Sequence, residues 1–219
     1  MNLSKKLLWA VGAAAMVVFS FGASAAPVLF SITGAQFSLG AGYGADSNES
    51  SGTLLDVRFS TSLFSQQDFA LSAVNQSFTF NFGIIDLEEP DAASGINPNE
   101  MDNLGITANL IFAVPAGGLQ SVSAAGTATA GSVIDAAVDY IVDWSPVTVV
   151  FGNGGSFRLS FADMAFSSNG AAFQTATITL LSLPENSPPI AAVPEPASFA
   201  LVGMGIGCIA LIRRRRVKA

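Results

Sequence analysis

Between residues 86 and 103 the chain crowds oxygen donors: Asp86, Glu88, Glu89 and Asp91, then Asn97, Asn99, Glu100, Asp102 and Asn103. Carboxylates and amide carbonyls at this density, on a loop that follows a strand, could hold Ca²⁺, a hard cation that takes oxygen ligands. Asp86, Glu88, Asp91, Asn99, Glu100 and Asp102 are the candidate ligands. Their spacing does not match an EF-hand loop, because Asp-x-Asp-x-Asp-Gly is absent, and the same residues also read as a solvated acidic loop without an ion. Paired carboxylates can divide the acid and base roles of glycoside hydrolysis, which needs no histidine. Nothing in the sequence brings two of them into a cleft with one pKa raised.

Other chemistry is narrowed by composition. The chain has no histidine. That removes the commonest general base, the usual catalytic zinc ligand and the Ser-His-Asp and Cys-His mechanisms. Its one cysteine, Cys208, lies in an apolar run near the C-terminus, so the middle of the chain forms no disulfide. Tyr140 and Trp144 could form an aromatic platform for a sugar, but two aromatics on one strand face are more often core. Gly203-Met204-Gly205-Ile206-Gly207 has no preceding strand, so it is no nucleotide loop; its glycine spacing could let helices pack closely. Stretches 1–25 and 213–219 hold seven of the nine basic residues and no acidic one, which leaves −14 on the chain between them. Such a surface repels nucleic acid, whose phosphates require Lys and Arg for neutralisation.

The elements that must position these residues read as strands. Phe78, Phe80, Phe82 and Ile84 alternate with Thr79 and Asn81; Ile106, Ala108, Leu110 and Phe112 with Thr107 and Asn109. The pattern recurs at Val138, Tyr140, Val142 and Trp144, at Phe157, Leu159 and Phe161, and at Ala176, Ile178 and Leu180. Turns at Gly152-Asn153-Gly154-Gly155 and Ser168-Asn169-Gly170 make 147–181 a three-strand antiparallel meander. Val28–Phe37, Leu54–Leu63 and Phe69–Ala73 are weaker strands, and Leu119–Ala130 alternates poorly, as an edge strand would. In 132–143 a short helical turn gives way to a strand from Val138, because helical spacing would stack Asp135, Asp139 and Asp143 on one face. Gly40–Gly52 is a polar, glycine-rich loop. The expected fold is all-β: an antiparallel β-sandwich, jelly-roll-like or immunoglobulin-like, over 26–182, followed by a Pro-rich linker at 183–193.

The two ends carry export signals. Lys5 and Lys6 precede the apolar run Leu7–Phe21, and Ala23-Ser24-Ala25 is a small-x-small site, so 1–25 reads as a secretory signal peptide cleaved before Ala26. Residues 194–219 hold Pro194-Glu195-Pro196, an uncharged run at 197–212 and a basic cluster at 213–218. As a helix that run spans about 24 Å against a hydrocarbon core of about 30 Å. Snorkelling of Arg213, Arg214, Arg215 and Arg216 would complete the crossing and hold the C-terminus in the cytoplasm.

Pro194-Glu195-Pro196, the short apolar helix and the terminal arginines resemble, in order and spacing, the PEP-CTERM sorting signal of Gram-negative bacteria. The resemblance covers about the last 26 residues only. It implies that an exosortase, a membrane-embedded transpeptidase resembling cysteine proteases, recognises the tripeptide and removes the helix. It also implies an association with exopolysaccharide-producing cells. The expectation is an exported, non-enzymatic surface or matrix protein. Its partners would be the secretion machinery, the exosortase, transiently the inner membrane, and extracellular polysaccharide. The alternative is a carbohydrate-binding module or carbohydrate-active enzyme that uses the acidic loop.

Overall fold

A computed structural model of the chain describes residues 26–46, 52–90 and 93–185. These residues form eleven strands: β1 (Val28–Leu39), β2 (Val57–Ser60), β3 (Gln67–Leu71), β4 (Ser77–Leu87), β5 (Gly105–Val114), β6 (Gly118–Ala128), β7 (Tyr140–Trp144), β8 (Val147–Phe151), β9 (Gly155–Phe161), β10 (Met164–Phe166) and β11 (Gly170–Ser182). A single 3₁₀ turn, Pro98–Glu100, is the one helical element among them. One sheet has the order β10-β7-β6-β5-β1-β3 and the other β2-β4-β11-β9-β8. Every strand pairing is antiparallel. The expected signal peptide and apolar tail lie outside the described residues, among which no helix is long and apolar enough to cross a membrane.

Alternation builds the core. Ile106, Ala108, Leu110 and Phe112 of β5 are buried, as are Phe157, Leu159 and Phe161 of β9 and Ala176, Ile178 and Leu180 of β11. The sheets meet through aromatic rings. Phe30 of β1 stands edge-on to Phe157 of β9 with centroids 5.3 Å apart, and Phe37 of β1 meets Phe82 of β4 at 4.8 Å. Each buried ring contributes about 1.5–3 kcal/mol through area removed from water, and each such pair about 0.5–1.5 kcal/mol more.

Four expectations from the sequence meet corrections. In β4 the apolar phase flips: Phe80 and Phe82 face the core, but Ile85 and Leu87 then replace Ile84, which is half-buried. Gly83 pairs with Gln174 while Asn81 pairs with Thr175, so Phe82 is an extra residue without a cross-strand partner. Such a bulge turns every following side chain to the other face. Gly83 suits the spot, since a Cβ there would sit 2.5 Å from the Ser60 carbonyl oxygen and 3.0 Å from the Phe37 ring.

Leu119–Ala130 is no edge. As β6 it lies between β5 and β7, its alternation muted because its core face carries small residues, with Ala124 directly opposite the bulky Trp144. β7 starts at Tyr140, and Val138 is exposed on the preceding turn. Finally, β8, β9 and β11 do lie side by side as a meander, but between β9 and β11 the chain crosses to the other sheet to form β10 against β7.

Candidate functional site

Beside β2 the chain encloses a cleft of about 500 Å³, walled by Gly44, Val57 and Pro90 and lined with Asp46, Asp56, Arg58 and Glu88. Tyr43 forms an isolated parallel bridge with Leu55, and this bridge lays the glycine-rich loop alongside the entry to β2. Main-chain donors then fix the carboxylates. Thr53 and Leu54 N–H groups donate to Asp46 Oδ2 at 3.0 and 3.2 Å. The Asp46 N–H donates in turn to the Asp56 carboxylate. The Asp56 N–H donates to Glu89 Oε1 at 3.2 Å. Glu89 is locked by Asn169, which accepts from its N–H at 3.0 Å and donates to its carbonyl at 2.8 Å.

Glu100 joins this group from the 3₁₀ turn. It is fully buried, and its carboxylate accepts from the Asn97 N–H at 2.8 Å and from Asn97 Nδ2 at 3.2 Å. A Cβ on Gly52 would lie 2.6 Å from Asp46 Oδ1 and 2.8 Å from Glu100 Oε1, so these two carboxylates flank the same glycine. Burial, and then the charges of Asp46 and Glu100, push the Asp56 carboxyl above its ordinary pKa. Asp46 Oδ1 and Asp56 Oδ1 are buried without a hydrogen-bond partner among the described residues. At the mouth, Arg58 bonds Glu88 at 2.8 Å as an exposed ion pair.

The acidic residues singled out from the sequence are therefore divided. Asp86 and Glu88 flank Arg58, Asp86 as its cross-strand partner. Glu100 turns inward toward Asp46. Asn99 and Asp102 are exposed on the turn, and Asp91 lies outside the described residues. Among the described residues no three His, Cys, Asp or Glu side chains are placed to hold a metal ion between them. Asp46 and Asp56, which the sequence reading missed, come from segments 40 to 55 residues before Glu100, and their only local signal was the polar, glycine-rich loop. Tyr140 and Trp144 are core residues. Trp144 Nε1 donates to the buried Gln174 Oε1 at 3.0 Å, leaving no ring face for a sugar.

Ala26 is exposed at the start of the described chain, while Ala23 and Ala25 lie outside it, as do Pro194, Glu195, Pro196 and Arg213–Arg216. Residues 192–216 match the family model of the PEP-CTERM protein-sorting motif. No curated protein and no solved structure matches the chain. The motif marks a target of exosortase; it implies export, with the C-terminal tail anchored in the membrane before processing.

Proposed function

We propose that this is an exported, non-enzymatic protein of the cell surface or extracellular matrix, with a structural or interaction role in an exopolysaccharide setting. The observation that carries the reading is the sorting motif at residues 192–216. The arginine cluster at 213–216 favours a cytoplasmic C-terminus while the tail is anchored, which puts the two-sheet body across the inner membrane. There its excess of carboxylates favours a hydrated, soluble surface. The Pro-rich stretch 183–193 supports access by a processing enzyme, since extended proline segments act as spacers.

The cleft supports a second reading, a carbohydrate-binding module or carbohydrate-active enzyme. Asp46, Asp56, Arg58 and Glu88 present carboxylates and a guanidinium at one opening, the groups that pair with sugar hydroxyls. Asp56, held above the usual carboxylate range, is the member suited to a proton-donating role.

Expression in the native host tests sorting. With Pro194→Ala, Glu195→Ala and Pro196→Ala combined, the expected result is a full-length precursor retained in the inner membrane while the unaltered chain matures. Normal maturation of the triple variant would overturn the reading. Glycan binding without hydrolysis by the full chain supports the interaction role. Hydrolysis lost on Asp56→Asn would transfer the assignment to the enzyme.

A further inference from the structure

Two sheets have four borders, and three of them are protected in the ways that keep edge strands from pairing with other chains. β10 is only three residues long, β3 carries Asp68, and the four-residue β2 carries Arg58. The fourth is different. β8 reads Val147-Thr148-Val149-Val150-Phe151, with no charge and no proline, and its register with β9 is unbroken. Val149 and Phe151 are buried and hold the strand flat against the core, while Val150 is 70% exposed. Among the described residues no main-chain hydrogen bond reaches β8 from the side away from β9.

We infer that β8 is a self-association edge, on which β8 of a second copy adds antiparallel so that the two β2-β4-β11-β9-β8 sheets run on as one. A twofold contact requires a surface that complements itself. Pairing centred on Val149 sets Thr148 opposite Val150 and Val147 opposite Phe151, matches of β-branched and aromatic residues that stabilise antiparallel pairs. Charge agrees. In a strongly acidic chain, the one charged side chain of β8 and β9 is Arg158, so this border brings no carboxylates of two copies together, whereas Asp68, Asp86 and Asp143 lie in the strands at the other three.

The path of the chain points to the same occupant. The Glu185 N–H donates to the Asn153 carbonyl at 2.7 Å, so the described chain ends beside the β8–β9 turn. Under the proposed sorting, on which this last argument rests, copies anchored by the C-terminal tail share one membrane with their β8 edges near the anchor. Such confinement raises their effective concentration for each other.

The experiment uses the purified full chain in detergent, so it does not depend on sorting. The background is Cys208→Ser, which removes the only thiol. Thr148→Cys and Val150→Cys chains are prepared separately, then mixed and oxidised. The expected result is a disulfide-linked pair formed several-fold more in the mixture than in either preparation alone. Sedimentation should show the dimer fraction falling several-fold in Val150→Lys and persisting in Val150→Thr, which retains β-branching; circular dichroism confirms that both remain folded. A monomeric unaltered chain, or dimers that ignore Val150→Lys because the tail holds them together, would overturn the inference.

Discussion

The hydroxyls of Tyr43 and Tyr140 stand 2.7 Å apart and join the glycine-rich loop to a fully buried residue of β7, beside the edge strand β10. Tyr43 donates its proton to the Leu104 carbonyl at 2.8 Å, which leaves Tyr140 as the donor to Tyr43. Burial raises both phenol pKa values, so the pair stays neutral. Gly126 makes room: a Cβ there would collide with the Tyr43 hydroxyl. The relay fixes the loop that carries Asp46, and so one wall of the cleft.

Because Tyr43 serves two partners, its hydroxyl matters more than that of Tyr140. Tyr43→Phe leaves the buried Tyr140 hydroxyl without its acceptor and takes one of two donors from the Leu104 carbonyl, which keeps the Gly126 N–H at 2.8 Å. It should cost about 1–3 kcal/mol, whereas Tyr140→Phe leaves both bonds to Leu104 intact and should cost about 0.5–1.5 kcal/mol. Urea unfolding of both variants checks the order. A larger loss in Tyr140→Phe would contradict the assigned direction of the relay.

Gln174 is a buried polar junction. It accepts from Trp144 Nε1, and its Nε2 donates to the Ala162 carbonyl at 2.8 Å and the Thr175 carbonyl at 3.2 Å. Gln174→Met keeps the bulk but strands Trp144 Nε1 and the Ala162 carbonyl, while the Thr175 carbonyl keeps the Ala162 N–H at 3.2 Å. The cost should be about 1–3 kcal/mol. Thermal melts followed by tryptophan fluorescence should show a lower Tm and an altered emission from Trp144. Equal stability would mean that water replaces the amide.

Asp56 makes stability depend on pH. Its folded pKa is raised by burial and by the charges of Asp46 and Glu100, so the fold holds its proton more tightly than the unfolded chain does. The penalty of ionising it is absent below the unfolded pKa of about 4 and grows as pH rises through the folded value. Asp56→Asn should therefore melt above the unaltered chain at neutral pH, with the gap closing on acidification. A gap that widens toward acid would reverse the sign and refute the assignment.

What the sequence disclosed follows the range over which each cause acts. Strong alternation, as in Ile106–Phe112 or Phe157–Phe161, is a local pattern and places those side chains correctly. The phase flip in β4 is not local. It depends on Gly83 meeting Ser60 and Phe37, which only the fold brings near. The sequence of β6 looks like an edge because small residues on both faces conceal its place in the middle of a sheet. The acidic loop was legible as an excess of oxygen donors but not in its arrangement. Glu100 finds Asp46 and Asp56 across long stretches of chain, while its sequence neighbours Asn99 and Asp102 face solvent. The sorting tail was legible for the opposite reason, since tripeptide, apolar run and arginines carry their meaning in sequence order alone.

Intact-mass spectrometry of the mature protein from its native host tests the central claim most directly. The full chain is 22.4 kDa. Export and exosortase processing predict a smaller species that begins at Ala26 and has lost the apolar run and arginines of 197–218, together with the mass of any group attached at the new C-terminus. A mature protein that retains Arg213–Arg216, or one that still carries residues 1–25, would contradict the account.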